Sequence, residues 1–449
     1  MPSSSQRLSL LKHPDQLVPM LAAELSAARG EPITLHQCVI DYVRQSATRT
    51  SVQYTLDLED ARGARGQQVI TAVGYGDDRT EQQWERIRDD IWDATAPVGQ
   101  FQLPGASYSA TLDVILQVFP FDFRLPGLRQ LVLGNPTALA RIGANLGAAQ
   151  VTSWEAEVAR YRPDMRAMAR VRAGGLDALG QPVARTVYAK TYRDNDEGQR
   201  AFDLLTAFAR WSADPGVFSV PEPLAYHPDL QTLVLAEAPG TRLLDIVRQH
   251  DPGEAAAAVR RAARAVAAMH RAPVRGPLLT EMAHDKDAQF SDVAANLMSS
   301  YPQMAAEIAD VAGEITAVFE EPELSPTHYD LKQGHILIDD GATTILDFDK
   351  MALGDPLIDV ANVVATLGAE REGSAKRAAR RGNLAGVFVE EYFAAVPSEW
   401  APLFPAHLAR ATLLEAGTTG RSQRGRKSTS RPEERLEFAL GRAREALAS

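Results

Sequence analysis

Apolar and polar residues alternate strictly over Ser51–Leu58, placing Val52, Tyr54, Leu56 and Leu58 on one face, the period-two pattern of a half-buried strand. Strands are also expected over Gln37–Val43 and Gln68–Tyr75. Ahead of them, Pro14–Ala28 carries Leu17, Val18, Leu21 and Leu25 on one helical face. A second strand-rich stretch begins with Glu157–Tyr161, a turn at Arg162–Met165, and Ala167–Val171. It continues with Arg185–Tyr192, Pro221–Tyr226 and Thr232–Ala236. A helix is expected from Glu197 to about Arg210, between the last two groups of strands. Beyond Thr241 the period becomes helical, with an alanine-rich helix over Glu254–His270 and further helices within 285–319 and 357–413. One short hairpin interrupts them: Ile336–Ile338 and Thr344–Leu346 around the turn residues Asp339, Asp340 and Gly341. The pattern as a whole is α+β.

The two strand-rich stretches invite comparison. Val39 and Tyr42 align with Val158 and Tyr161, and Ala72–Tyr75 aligns with Ala189–Tyr192, with Val73 standing where the second stretch has Lys190. A degenerate repeat is one reading; an unrelated meander with similarly spaced turns is the other.

Composition narrows the class. The 449 residues, 45% hydrophobic and 23% charged, suffice for two or three packed domains. A net charge of -11 argues against nucleic acid or an anionic membrane as the main partner. Cys38 is the single cysteine, which excludes an intrachain disulfide and a thiolate metal site. Without a signal-peptide core or a membrane-length apolar run, the expected location is cytoplasmic.

The chemistry concentrates at the hairpin. Asp330 lies on the loop entering it and Asp347 just past its second strand, so the two carboxylates can face one cleft. Phosphoryl transfer needs such a pair: one acid to orient the attacking hydroxyl and take its proton, another to hold a cation on the phosphates. Upstream, alternation puts Tyr188, Lys190 and Tyr192 on one strand face, and a lysine there is costly to desolvate unless it meets an anion.

These residues resemble the aminoglycoside phosphotransferase and choline kinase family, of protein-kinase-like fold. Its pattern is His-Gly-Asp, an Asn five residues after the Asp, a hydrophobic-Asp pair, then Gly-Asp-Pro and Asp-Leu-Ala. The matches are His328, Asp330, Asp347, Gly354, Asp355, Pro356, Asp359 and Ala361. The departures are Tyr329, where Gly is usual, and His335, where the second metal-binding Asn would stand. The resemblance implies a bilobal kinase-like fold, ATP and Mg2+ as cofactors, and a small-molecule hydroxyl acceptor. It implies Asp330 as base, Asp347 and His335 as metal ligands, and His328, Asp355 and Asp359 as supports.

It also implies that Lys190 holds the phosphates, with Glu197, rather than Asp203, as its helical partner. By its position before Lys190, the turn at Arg162–Met165 would cover the phosphates, with Arg162 or Arg166 touching them. The breaker segment with Glu237 and Pro239 acts as the hinge that reads adenine through its backbone. No Gly-rich phosphate loop of the Walker type is present. The expected organisation is an N-terminal cap over 1–118, a linker and helix over 119–150, a small lobe over 151–237 and a large lobe over 238–449. Maltokinase-like members of the group also carry an N-terminal domain. A chain beginning near Val151 should then still bind ATP.

The acceptors implied are sugars or polyols, then aminoglycosides, then amino alcohols. The alternative is a nucleotide-binding pseudokinase or scaffold whose metal site His335 has compromised. A third reading uses the basic loop Arg421–Arg431 for an anionic substrate or nucleic acid; a solvated loop is the simpler account.

Overall fold

A computed structural model describes residues 9–46, 48–76, 79–90, 95–211, 217–249, 251–280, 286–320, 322–369, 375–422 and 432–448. The basic loop lies largely outside them, since 423–431 is not described. The chain forms two compact units, one of Met1–Phe202 with Pro223–Glu237, the other of Asp203–Glu222 with Ala238–Ser449.

The first unit holds two five-stranded antiparallel sheets. Helix α1 (Pro14–Arg29) starts with proline in its first turn and ends on Gly30, whose φ of 79° lets its N–H reach Ser26 O. Strands β1 (Ile33–Gln45), β2 (Arg49–Asp60) and β3 (Arg65–Tyr75) follow, then helix α2 (Thr80–Asp90), β4 (Ala106–Ser109) and β5 (Val114–Val118). The alternation in β2 is realised: Val52, Tyr54, Leu56 and Leu58 are all fully buried against Leu17, Leu21 and Leu25 of α1.

Helices α3 (Pro126–Leu133) and α4 (Pro136–Asn145) lead into β6 (Gln150–Arg162), β7 (Arg166–Leu176) and β8 (Pro182–Tyr192). Helix α5 (Asn195–Trp211) then precedes β9 (Pro223–His227) and β10 (Thr232–Ala236). The strand orders are β1-β2-β3-β5-β4 and β6-β7-β8-β10-β9, so each sheet puts its fifth strand inside its fourth, and each has a helix after its third. Registers agree as well: Arg49↔Tyr75 through Glu59↔Arg65 in one, Arg166↔Tyr192 through Leu176↔Pro182 in the other. Val73 opposite Ser51 holds the place that Lys190 opposite Met168 holds in the second sheet. Val73 is packed with Ile87 and Ile115, so that place in the first sheet is apolar.

The second sheet is not self-sufficient. Leu131, Ala138, Ile142 and Leu146, from α3, α4 and the turn after them, pack with Ala169, Val171, Val187 and Ala189. Leu125 and Leu128 cover Ala167. The β6–β7 turn is also held by the N-terminal region. Asp164 at its tip has φ 63° and is 1% exposed. Its carboxylate is ion-paired with Arg49 and accepts from Ser51 Oγ at 2.6 Å, while its N–H donates to Asp122 Oδ2 at 2.8 Å. Burial, and then the neighbouring Asp164 charge, raise Asp122 above the usual carboxylate range. The expectation that a chain beginning near Val151 keeps its nucleotide sites therefore changes: such a chain lacks the helices that fill this sheet's apolar face.

The second unit is mostly helical. Its alanine-rich helix α6 (Pro252–His270) is capped by Asp251, which accepts the Gly253 and Glu254 amides, and is buried on most of its circumference. Strands 241–242, 336–338 and 343–345 form a small sheet, in which Ile336↔Ile345 and Ile338↔Thr343 close the expected hairpin. Arg261 of α6 donates to the carbonyls of Asp339 and Ala342, fastening the hairpin turn to the helix. Strand 325–327 pairs with 352–354. Helices α7 (Leu357–Ala369) and α8 (Phe404–Ser422) complete what the site needs.

Candidate active site

The loop between strand 325–327 and the hairpin carries His328, Tyr329 and Asp330. Its path is set by Asp359 in the first turn of α7. Asp359 Oδ2 accepts the His328 amide at 2.6 Å and Oδ1 accepts the Tyr329 amide at 2.8 Å. A buried carboxylate needs such donors, and here the backbone supplies them. His270, at the end of α6, places Nε2 3.2 Å from Asp359 Oδ2 and Nδ1 2.7 Å from the Tyr392 hydroxyl. Tyr329 takes φ 62°, the left-handed region that explains why glycine is usual there.

His328 is fully buried and organises its neighbours. Its Nε2–H donates to Leu346 O at 2.8 Å, and its Nδ1 accepts the Asp330 amide at 3.3 Å. His328 and Asp359 therefore both hydrogen-bond to the loop itself. Asp355 Oδ1 accepts the Leu357 amide at 2.9 Å and Oδ2 lies 2.6 Å from His407 Nε2 on α8.

Asp330 is half-buried, with Oδ1 3.0 Å from Lys332 Nζ and 3.7 Å from Lys350 Nζ. Burial pulls its pKa up, but the Lys332 hydrogen bond and the two lysine charges outweigh it, leaving the carboxyl below its usual range. Asp330 is therefore ionised at neutral pH. Asp347, at φ 66°, turns out of the second hairpin strand. Ligand atoms of Asp330, His335 and Asp347 lie within 4.8 Å of one another; the hairpin spacing implies this closeness for the two carboxylates, and the resemblance for His335.

His335 closes a short 3-10 turn, Gln333–His335, and its carbonyl accepts the Leu346 amide at 2.8 Å, one residue before Asp347. Burial, and then the adjacent His328, lower its pKa to about 4, so the ring is neutral. Its Nδ1 is buried with no hydrogen-bond partner. A neutral imidazole with an unsatisfied nitrogen beside two carboxylates suits a divalent cation.

The candidates of the first unit are placed as follows. Lys190 sits on central strand β8, 5% exposed, its Nζ 5.5 Å from the Tyr192 ring centroid. Arg166 opens β7 opposite Tyr192, which puts it two register pairs from Lys190. Glu237, just past β10, is ion-paired to Arg170 of β7 at 2.7 Å. Glu197 is exposed in the first turn of α5, its amide bound to Asp194 Oδ1 at 2.9 Å. Pro239, in the second unit, is exposed before Gly240, where a Cβ would stand 2.7 Å from Ile338 O.

Residues 178–396 match the model of the phosphotransferase enzyme family, a span that holds the loop, the hairpin and the Gly-Asp-Pro segment. That span, just under half of the chain, is similar to this family. The chain also resembles solved structures. One is an ADP-bound aminoglycoside phosphotransferase, at 11% identity and TM-score 0.44 over 70% of this chain and 99% of the other. Another is a choline kinase from Cryptosporidium parvum, at 12% identity and TM-score 0.44 over 70% and 96%. A choline/ethanolamine kinase family protein from Mesorhizobium loti reaches 15% identity and TM-score 0.40 over 69% and 95%. No curated protein sequence matches the chain. Among the described residues, no helix is long and apolar enough to cross a membrane.

Reading the sequence missed three side chains near these residues, Lys332, Lys350 and His407, and took His270 only as a helix-end histidine. Lys332 had a signal, since it falls two residues after Asp330 on the same loop; Lys350 had a weaker one, three residues after Asp347. His407 had none, because it reaches Asp355 only through a helix distant in sequence; the signal for His270 was its place at a helix end, which does not reveal its contact with Asp359.

Proposed function

We propose that this protein is an ATP-dependent kinase that transfers the γ-phosphoryl group to a hydroxyl of a sugar, polyol or aminoglycoside-type acceptor. The observation that carries the reading is Asp330: an ionised, half-buried carboxylate on a loop whose backbone Asp359 holds, beside His335 and Asp347. Asp330 accepts a hydrogen bond from the acceptor hydroxyl and takes its proton as the new O–P bond forms and the bond to the ADP oxygen breaks. The products are ADP and a phosphate monoester. Lys332 and Lys350 keep Asp330 charged before the reaction and offer positive charge beside the oxygens of the transferred group. Lys190 holds ATP phosphate, and backbone groups near Glu237 and Pro239 read the adenine.

Asp347 and His335 are the residues that would hold a divalent cation. That cation supplies neutralisation of phosphate charge when bound. The rest of the chemistry belongs to positioned side chains.

The reading is tested by following ATP consumption and phosphorylated product against a panel of sugars, polyols, aminoglycosides and amino alcohols. Product with one class identifies the acceptor. Nucleotide binding with no transfer to any of them would favour the pseudokinase alternative.

A further inference from the structure

The cation site has an unusual donor set for a phosphoryl-transfer enzyme that uses Mg2+. Mg2+ demands oxygen ligands in near-octahedral geometry and sheds water reluctantly. Imidazole suits Fe2+, Ni2+, Cu2+ and Zn2+, while carboxylates suit Mn2+ as they do Mg2+; affinity for a mixed nitrogen and oxygen site rises along the first row from Mn2+. Here one of the three groups within 4.8 Å of one another is the His335 ring, where an oxygen donor would serve Mg2+ better.

We propose that His335 makes this site take a first-row transition cation, Mn2+ foremost, in preference to Mg2+. The proposal rests on the kinase reading of the site but concerns its cation alone.

Three features support His335 as a ligand. Its carbonyl is bonded to the Leu346 amide, so the backbones carrying His335 and Asp347 are tied one residue from the second ligand. Its ring stacks on His328, with centroids 5.8 Å apart and planes at 29°. His328 is itself fastened to Leu346 O and the Asp330 amide, so one buried ring orients His335 and both neighbouring carboxylates. Finally, Nδ1 is enclosed without a hydrogen-bond partner, a costly state for a buried ring nitrogen, and one that cation coordination at the ring would make worthwhile. An oxygen donor in that place would serve Mg2+; an imidazole nitrogen favours softer cations. Carboxylate oxygens from Asp347 and Asp330 keep the site hard enough for Mn2+ rather than for Cu2+ or a thiolate-type metal.

The test uses the full chain with Mn2+ and ADP, read by electron spin-echo modulation and by Mg2+ competition in the Mn2+ resonance signal. In the wild type, modulation from a directly coordinated imidazole nitrogen is expected, and its frequencies should change when histidine is labelled with 15N. Displacing the Mn2+ should take roughly a ten-fold excess of Mg2+ or more, and His335→Asn should abolish the nitrogen modulation and shrink that excess several-fold. If Mn2+ fails to bind, binds without nitrogen modulation, or yields to equal Mg2+, the proposal is overturned. The labelled wild type decides the question even where His335→Asn does not fold. The two readings fail separately. Nitrogen coordination without phosphotransfer to any acceptor overturns the kinase reading and leaves the cation preference standing. Phosphotransfer without nitrogen coordination does the reverse.

Discussion

The Tyr329 hydroxyl rests against the Cα of Gly354, where an added Cβ would stand 1.6 Å from that oxygen. The tyrosine that replaces the family's usual glycine is thus accommodated by a glycine on the neighbouring strand. Gly354→Ala should destabilise the protein by about 1–3 kcal/mol through overpacking. In a Tyr329→Gly background the same change should cost less than about 0.5 kcal/mol, within the range of a surface substitution. Urea unfolding of the four proteins checks this. An equal cost in both backgrounds would show that the tyrosine is not what excludes a Cβ.

Asp330→Asn keeps the shape of the loop but removes the proton acceptor. Turnover should fall by about 10² to 10⁴ while Mg-ATP affinity stays close to wild type. Product formation and calorimetry separate the two effects. More than about a tenth of wild-type turnover would remove Asp330 from the role of base. Lys190→Ala in the same assays should instead weaken ATP binding by about 1.5–3 kcal/mol, the worth of a charge-assisted hydrogen bond.

Asp359 accepts two loop amides and faces His270 inside the core. Asp359→Ala leaves those amides buried without acceptors, at about 1–3 kcal/mol each. Both the unfolding midpoint and turnover should fall, because the loop that presents Asp330 loses its anchor. A variant with normal turnover would mean that the loop holds its shape without Asp359.

The pH dependence differs from that of an unperturbed imidazole, which would titrate at about 6.5. With His335 near 4 in the folded protein, ionisation of this residue should give no acid limb in activity between pH 5 and 7. Stability should respond instead. Between about 6.5 and 4 the unfolded chain takes up a proton that folded His335 does not, so stability falls as pH drops through that window and levels off above it. Thermal unfolding at several pH values should show this slope in the wild type and a shallower one in His335→Asn.

Arg49→Ala leaves the nearly buried Asp164 without its ion pair, which should cost about 3–5 kcal/mol. A chain beginning near Val151 should aggregate or fail to fold, since it lacks Leu125, Leu128, Leu131 and Ile142. Far-ultraviolet circular dichroism and gel filtration of the truncated chain check the second expectation. A monodisperse, folded product would show that the sheet buries its face without α3 and α4.

Local pattern alone determined most elements and the core of the candidate site. Alternation in Ser51–Leu58 requires a strand, turn residues at 339–341 require a hairpin, and the spacing of Asp330 and Asp347 about that hairpin brings their ligand atoms together over a short stretch of chain. Such features depend on neighbours close in sequence, so one chain suffices to read them. Tertiary structure decided the rest. It brought His270 and His407 to Asp359 and Asp355, seated Asp164 on Arg49, and buried His335 until its imidazole stayed neutral. The pairings depend on partners tens of residues away and the neutral imidazole on desolvation, and neither residue type nor local spacing encodes which groups the fold will enclose together.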